Sequence, residues 1–96
     1  KLIVNGSSSE VVMDPTVIEE RLREAFPEAD VRLRDLTGTR DHWGCTVISK
    51  AFEGLGLVRR HQAVYACLND LMAGDSAPIH ALQLNTLTPS EAQKEA

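Results

Sequence analysis

The stretch Phe52–Met72 constrains the fold most, because it carries the longest regular pattern of apolar side chains in the chain of 96 residues. These side chains recur at spacings of three and four, which place them on one face of an α-helix. They are Leu57, Val58, Val64, Tyr65, Leu68, Leu71 and Met72. Gly54 and Gly56 precede the helix and Gly74 follows it, where turns and caps favour glycine. We expect the remaining elements to pack on this apolar stripe.

Polar residues on the same stretch have two predicted placements. The face opposite the stripe is predicted to meet solvent, and it carries Arg59, Arg60, Gln62, Asn69 and Asp70. His61 interrupts the stripe itself, four residues after Leu57 and four before Tyr65. A histidine on such a face is expected to be packed, with its ring nitrogens satisfied by neighbouring groups, rather than to bind a ligand.

The first half of the chain predicts a helix followed by a hairpin. Asp14-Pro15 is typical of a helix start, and Pro27 ends that helix. Val31–Arg34 alternates apolar and charged residues, and Cys45–Ser49 is rich in β-branched residues, so both are predicted strands. The turn-rich residues 37–41 between them indicate a short connection and an antiparallel pair.

The second half adds a third strand and a last helix. Ile79–Leu87 is a predicted strand that follows a loop at residues 74–78, with His80, Leu82 and Leu84 on one side. Thr88–Glu91 has the pattern of a capping box at the start of a helix. The order helix, strand, strand, helix, strand, helix predicts an α+β sandwich, with helices on one face of a three-stranded sheet.

Length and composition favour one small domain. We expect residues 13–96 to form it, and we interpret residues 1–12, which contain Gly6-Ser7-Ser8-Ser9, as a leader that is either an addition to the native chain or disordered. No apolar run approaches the length that spans a bilayer or resembles a signal peptide, so we expect a cytoplasmic protein without a membrane partner. The net charge of −4 disfavours nucleic-acid binding through a basic face.

Ordered motifs resemble the BolA family, and the similarity covers essentially residues 14–92. The motifs are Phe52-Glu53-Gly54, Arg60-His61-Gln62-x-Val64-Tyr65 and Ile79-His80-Ala81-Leu82-x-Leu84-x-Thr86-x-Thr88-Pro89, with Phe26-Pro27 and Val47-Ile48-Ser49 before them. The resemblance implies a class II KH-like fold of order αββαβα, which agrees with the order predicted above. It is to the type with a short loop, here Gly38–Trp43.

The resemblance also implies a partner and a cofactor. Proteins of this family bind monothiol glutaredoxins and share a [2Fe–2S] cluster with them, in cluster trafficking or iron sensing. The glutaredoxin side supplies its cysteine and a glutathione thiolate. The BolA-like side supplies a histidine in the third-strand motif, which is His80 here, and a histidine or cysteine from the loop before the second strand. We expect the isolated protein to carry no cluster and to be a monomer or a weak homodimer.

The loop offers two candidates for the second ligand. His42 stands where many relatives carry a histidine followed by an aromatic residue, and Cys45 lies three residues later. We favour His42, because Cys45 falls within the predicted strand on the same face as Val47, where a thiol is buried and protonated. Cys45 stays the alternative, since a thiolate is the softer ligand for iron. Without a metal-binding role, His80 would be a strand histidine bonded to the backbone, and His42 would be a solvated loop side chain.

Trp43 is the only tryptophan of the chain and lies in or beside the same loop. Tryptophan is enriched at interface hot spots, so one placement is an exposed contact for the partner. The other placement covers the edge of the sheet. The sequence alone does not decide between these two placements.

The KH-like fold and the transcriptional and stress-response roles of the family suggest a nucleic-acid-binding regulator as an alternative. Its contacts would come from Gly54, Gly56, Arg59 and Arg60. However, the nucleic-acid loop of KH domains reads Gly-x-x-Gly, whereas this chain has Gly54-Leu55-Gly56. No catalytic triad, phosphate-cradling loop or carboxylate pair stands out, so we do not expect an enzyme.

Overall fold

The computed structural model describes residues 13–74 and 77–95. The elements are α1 (Pro15–Ala25), β1 (Asp30–Asp35), β2 (His42–Ile48), a one-turn 3-10 helix (Lys50–Phe52), α2 (Leu57–Met72), β3 (Ala81–Leu87) and α3 (Pro89–Glu95). This order confirms the predicted α+β fold. The proposed leader, residues 1–12, lies outside the described residues. Within them, no helix is long and apolar enough to cross a membrane.

The three strands form one mixed sheet in the order β1-β2-β3. Strands β1 and β2 are antiparallel, as the short connection predicted, whereas β2 and β3 are parallel. A parallel pair needs a long crossover, and α2 is the main element of that connection. The parallel register sets His42 opposite Ala81, so the first residues of both strands meet at one edge of the sheet.

Side chains of the sheet alternate between a covered face and an open face. On β2 the buried positions are Trp43, Cys45 and Val47, and the residues between them are half-buried. Their β3 partners Leu82 and Leu84 belong to the same apolar cluster. Helices α1 and α2 contribute Ile18, Leu22, Val64 and Leu68 to the same cluster, which confirms the prediction of helices on one face.

The core is built mostly from aliphatic side chains around one aromatic pair. The rings of Phe26 and Phe52 are 5.3 Å apart between centroids and are tilted by 58°. Phe52 is the last residue of the 3-10 helix and is fully buried in the core cluster. Other fully buried residues are Ile18, Leu22, Val47, Val64 and Leu68.

Helix α2 faces the core over less of its length than the apolar pattern predicted. Val64 and Leu68 are fully buried, but Leu57 is 61% exposed and Val58 is 69% exposed. Val58 is off the buried face, since six residues before Val64 is not a whole number of helical turns. Leu57 does share that face, but its turn of the helix lies uncovered by the other described residues. The prediction is therefore wrong for the first turn and correct for residues 64 and 68.

Arg60 departs from its predicted solvent-exposed position. Its side chain is 12% exposed, and its guanidinium contacts both carboxylate oxygens of Glu91, at 2.6 and 3.3 Å. Its Nε also donates to the carbonyl of Leu55 at 2.8 Å. The sequence pattern missed this pairing because it classed Arg60 by helical face alone, and Glu91 is distant in the chain.

Glu91 also completes the predicted capping box of α3. Its carboxylate accepts a hydrogen bond from the Thr88 backbone N–H at 2.9 Å, and its own N–H donates to the Thr88 hydroxyl at 3.2 Å. The Arg60 guanidinium, followed by the Thr88 N–H, lowers the pKa of Glu91 from its ordinary 4.5 to about 2. One carboxylate thus connects α2 to the end of β3 and the start of α3.

We predict that Leu68→Ala destabilises the protein far more than Leu57→Ala. Leu68 is fully buried, so its truncation removes core contacts and leaves a cavity, which costs about 2–5 kcal/mol. Leu57→Ala removes an exposed side chain from the same helix and should change stability by less than about 0.5 kcal/mol. Urea unfolding curves measure both values. Equal losses for the two variants would contradict the packing of α2 described here.

We predict that Glu91→Gln weakens the acid dependence of stability. Because the pKa of Glu91 is lowered in the folded state, its stabilising contribution is full above about pH 4.5 and is lost as the pH falls toward 2. The variant should be less stable than the wild type at neutral pH, and this difference should shrink over that acidic range. Thermal unfolding as a function of pH measures it. Glu19→Gln is the control, since Glu19 meets Arg23 only at 3.7 Å on the surface, and parallel curves for both variants would contradict the assignment.

Candidate functional site

The connection between β1 and β2 is held in shape by one carboxylate. Asp35 accepts hydrogen bonds from the backbone N–H groups of Gly38, at 2.9 Å, and Arg40, at 3.1 Å. Gly38 has a φ of 81°, in the left-handed region that glycine adopts at low cost. Arg40 has a φ of 60°, which is uncommon for a residue with a side chain. Asp35 therefore fixes an unusual turn directly before Asp41.

The backbone of Asp41 joins this loop to the start of β3. Its carbonyl oxygen accepts hydrogen bonds from the N–H groups of His80, at 2.7 Å, and Ala81, at 3.2 Å. These two bonds lie at the start of the parallel pairing. Strand β3 begins at Ala81 rather than at the predicted Ile79, because the Ile79 N–H donates to the carbonyl of Leu71 in α2, at 3.1 Å, instead of pairing with β2. The two bonds to Asp41 also bring His80 next to the loop that precedes β2.

His42 and His80 form a pair at this edge of the sheet. Their ring centroids are 5.9 Å apart and their planes are nearly perpendicular, at 85°. The side chain of His42 is 41% exposed and that of His80 is 50% exposed. Two imidazoles that are accessible to solvent and close together can ligate a metal that a second molecule also holds.

The carboxylate of Asp41 lies between the two rings. Its Oδ1 is 2.8 Å from His42 Nδ1, and its Oδ2 is 3.2 Å from His80 Nδ1. The Thr39 hydroxyl donates to the same Oδ1. Hydrogen bonds from Thr39 and then from His42 lower the pKa of Asp41 from its ordinary 3.8 to about 2. Among the described residues, Asp41, His42 and His80 form a group whose potential ligand atoms lie within 4.8 Å of one another.

Cys45 does not join this group. It is 2% exposed, and burial raises the pKa of its thiol to about 12. A thiol in that state is protonated at neutral pH, whereas metal binding needs the thiolate. The structure brings His42 and His80 together and leaves Cys45 in the core, as expected for a residue on the same face as Val47.

The side chain of Trp43 is packed in the core rather than exposed to a partner. It is 3% exposed and lies with Cys45 and Val47 on the covered face of β2. The expectation of an exposed contact for a partner is therefore not met by this side chain, because strand alternation turns it away from the face of its neighbour His42.

The residues considered for nucleic-acid binding do not form a basic surface. Gly54, Gly56 and Arg59 are exposed, but Arg60 is paired with Glu91 and only 12% exposed. Gly54 has a φ of 81°, as a turn before the helix requires, whereas Gly56 has an ordinary φ of −72°. Arg59 is then the one arginine of the Arg59-Arg60 pair that is open to solvent.

The open face of the sheet carries a groove of about 470 Å³, away from the histidine pair. Its lining includes Arg32, Arg34, Leu36 and Gln83, but neither histidine. The histidine pair thus lies on an exposed edge of the sheet rather than in this groove. An edge of this kind suits a site that is completed by a second molecule.

The residue that the sequence analysis missed is Asp41. It was treated as part of a turn-rich loop, although it directly precedes His42 in the chain. A carboxylate next to a candidate metal-ligating histidine is a signal of a supporting role, since such histidines commonly donate their other N–H to a carboxylate. Its contact with His80, however, depends on the parallel pairing of β2 and β3.

Comparisons with known proteins agree with this fold. Residues 14–91 match the BolA family, described as BolA-like protein. BolA-like protein 1 of Bos taurus is 32% identical over 90% of this chain and 68% of its own length. The DNA-binding transcriptional regulator BolA of Haemophilus influenzae is 30% identical over 78% of this chain and 77% of its own. The crystal structure of a Bol-like protein from Babesia bovis superposes with a TM-score of 0.72, with 27% identity over 86% of this chain and 93% of that one. Since the family match spans most of the sequence, this chain belongs to the BolA-like protein family.

Proposed function

We propose that this protein is an adaptor that binds a monothiol glutaredoxin and shares a [2Fe–2S] cluster with it, in cluster trafficking or iron sensing. The observation that carries the proposal is the pairing of His42 with His80, at 5.9 Å between ring centroids, on an exposed edge of the sheet. The nature of the partner and of the cluster follows from the resemblance to the BolA family.

The residues present fit a shared cluster. Imidazole is a suitable ligand for iron, and both rings are about half exposed, so a second molecule can reach them. The described group contains two histidines and one carboxylate, which is too few ligands to enclose a cluster. His42 and His80 would hold one side of it, and cysteine and glutathione thiolates of the glutaredoxin side would hold the other. Histidine ligation of one iron raises the reduction potential of such a cluster relative to ligation by thiolates alone.

Burial favours His42 over Cys45 as the loop ligand. Ligation by Cys45 would need the thiol to leave the core and lose its proton, although burial raises its pKa to about 12. His42 needs neither change, because its side chain is already 41% exposed. We therefore assign His42 and His80 to the cluster and propose a binding role for this protein rather than an enzymatic one.

We predict that mixing the protein with a monothiol glutaredoxin, glutathione, iron and sulfide gives a coloured heterodimer, and that the protein alone stays colourless. His80→Ala and His42→Ala should each change the visible absorption and circular dichroism of the complex and shorten its lifetime, because each removes one ligand. Cys45→Ala should leave the spectrum unchanged. The measurements are visible spectroscopy and size-exclusion chromatography of the reconstituted complex.

Two variants control that experiment. His61→Ala removes the third histidine of the chain, which lies on α2 outside the histidine pair, and Cys67→Ala removes the other thiol. Both should leave the complex unchanged. A spectrum that is altered by Cys45→Ala but not by His42→Ala would transfer the loop ligand to Cys45, and a wild-type complex unaffected by His80→Ala would contradict the site.

A second candidate function is nucleic-acid binding, which the name of the Haemophilus influenzae relative favours. In this chain it would depend on Arg59, because Arg60 is occupied by Glu91. This candidate predicts binding to duplex DNA that weakens with salt and is reduced by Arg59→Ala. A gel-shift series across salt concentrations tests it, and the absence of any salt-dependent complex would exclude it.

A further inference from the structure

The geometry points to Asp41 as a positioning residue that holds His42 and His80 in the one tautomer able to present both Nε2 atoms to the cluster. This inference rests on the proposed function and adds a residue to it. Three observations support it: the contacts of the carboxylate, the hydrogen-bonding capacity of its atoms, and the way in which the loop fixes its place.

Each oxygen of Asp41 contacts a different ring. Oδ1 is 2.8 Å from His42 Nδ1, and Oδ2 is 3.2 Å from His80 Nδ1. An ionised carboxylate can only accept hydrogen bonds, so His42 Nδ1 must be the donor in its bond to Oδ1. His80 Nδ1 makes no such hydrogen bond, but the negative charge 3.2 Å away favours a proton on that nitrogen as well. In a neutral imidazole that donates from Nδ1, the proton is absent from Nε2, which keeps its lone pair for a metal. One side chain therefore favours the same tautomer on both rings, through a hydrogen bond to His42 and through its charge beside His80.

The position of that carboxylate is itself fixed from three directions. The Asp41 carbonyl accepts the N–H groups of His80 and Ala81, which fastens its backbone to β3. The Thr39 hydroxyl donates to Oδ1, and the turn before Asp41 is held by Asp35. The side chain is only 20% exposed, so water competes little for its oxygens. These contacts orient the carboxylate and the rings beside it, and a ring that is already oriented loses less freedom on binding a metal.

The test uses Asp41→Asn, which keeps the size of the side chain but has only one oxygen to accept hydrogen bonds. The backbone bonds from His80 and Ala81 are unaffected, because they use the main-chain carbonyl. Asp30→Asn is the matched control. It removes the same charge from an exposed carboxylate of β1 that contacts Arg32 and neither histidine.

The first measurement is made on the isolated protein, without a cluster. Long-range ¹H–¹⁵N correlation spectra at about pH 8, where free imidazole is neutral, report which ring nitrogen carries the proton. We expect His42 and His80 of the wild type and of Asp30→Asn to be protonated at Nδ1. In Asp41→Asn we expect at least one ring to shift toward protonation at Nε2. Protonation at Nε2 on both rings of the wild type would overturn the inference.

The second measurement follows loss of the cluster from the reconstituted heterodimer when a chelator is added. Removing a partner of metal-ligating histidines typically lowers metal affinity roughly 10–100-fold, and we expect a loss in that range for Asp41→Asn and none for Asp30→Asn. A coloured wild-type complex whose lifetime Asp41→Asn leaves unchanged would contradict this inference alone. If the wild type formed no coloured complex, the proposed function would fail instead, and the role of Asp41 toward a cluster would fail with it.

Discussion

The parallel pairing of β2 with β3 is the constraint on which the site depends. In an antiparallel pair the start of one strand lies beside the end of the other, so residues 42 and 80 would be separated by the length of the sheet. The parallel register instead places His42 opposite Ala81, with His80 one residue before it. The bonds from His80 and Ala81 to the Asp41 carbonyl begin this register, so the same contacts that order the sheet also assemble the histidine pair.

The crossover helix α2 that connects the parallel strands is held in place by two kinds of contact. Val64 and Leu68 of α2 are fully buried against the covered face of the sheet. At the other end of β3, Arg60 of α2 contacts Glu91 of α3 and the carbonyl of Thr86. The hydrophobic contacts hold α2 against the sheet. The ion pair between Arg60 and Glu91 joins the first half of α2 to the start of α3. Contacts distant from His42 and His80 therefore help to maintain the strand pairing that brings the two histidines together.

The sequence predicts what depends on neighbouring residues and fails where distant partners decide. Helix and strand positions follow from periodicity and capping, which are local, and even the burial of Cys45 follows from strand alternation. Leu57 and Arg60 were placed wrongly because periodicity gives a face but not what covers it. The adjacency of His42 and His80 came only from the family resemblance, since nothing in their separation of 38 positions indicates a parallel register. The contact of Asp41 with His80 depends on the same register, whereas the place of Asp41 directly before His42 is visible in the sequence.

Strand alternation also explains why the proposed ligands are imidazoles rather than thiols. On β2, residues 43, 45 and 47 are buried, so a cysteine three residues after His42 is on the covered face, where its thiol keeps its proton. A thiol at position 42 or 44 would face outward, but Leu36 lies 3.1 Å from where a Cβ at Gly44 would be, so that position has little room for a side chain. Position 42 is therefore the place on this strand where a ligand can be both accessible and next to residue 80. A histidine there binds metal in its neutral form and needs only its tautomer to be set, which the adjacent carboxylate can do.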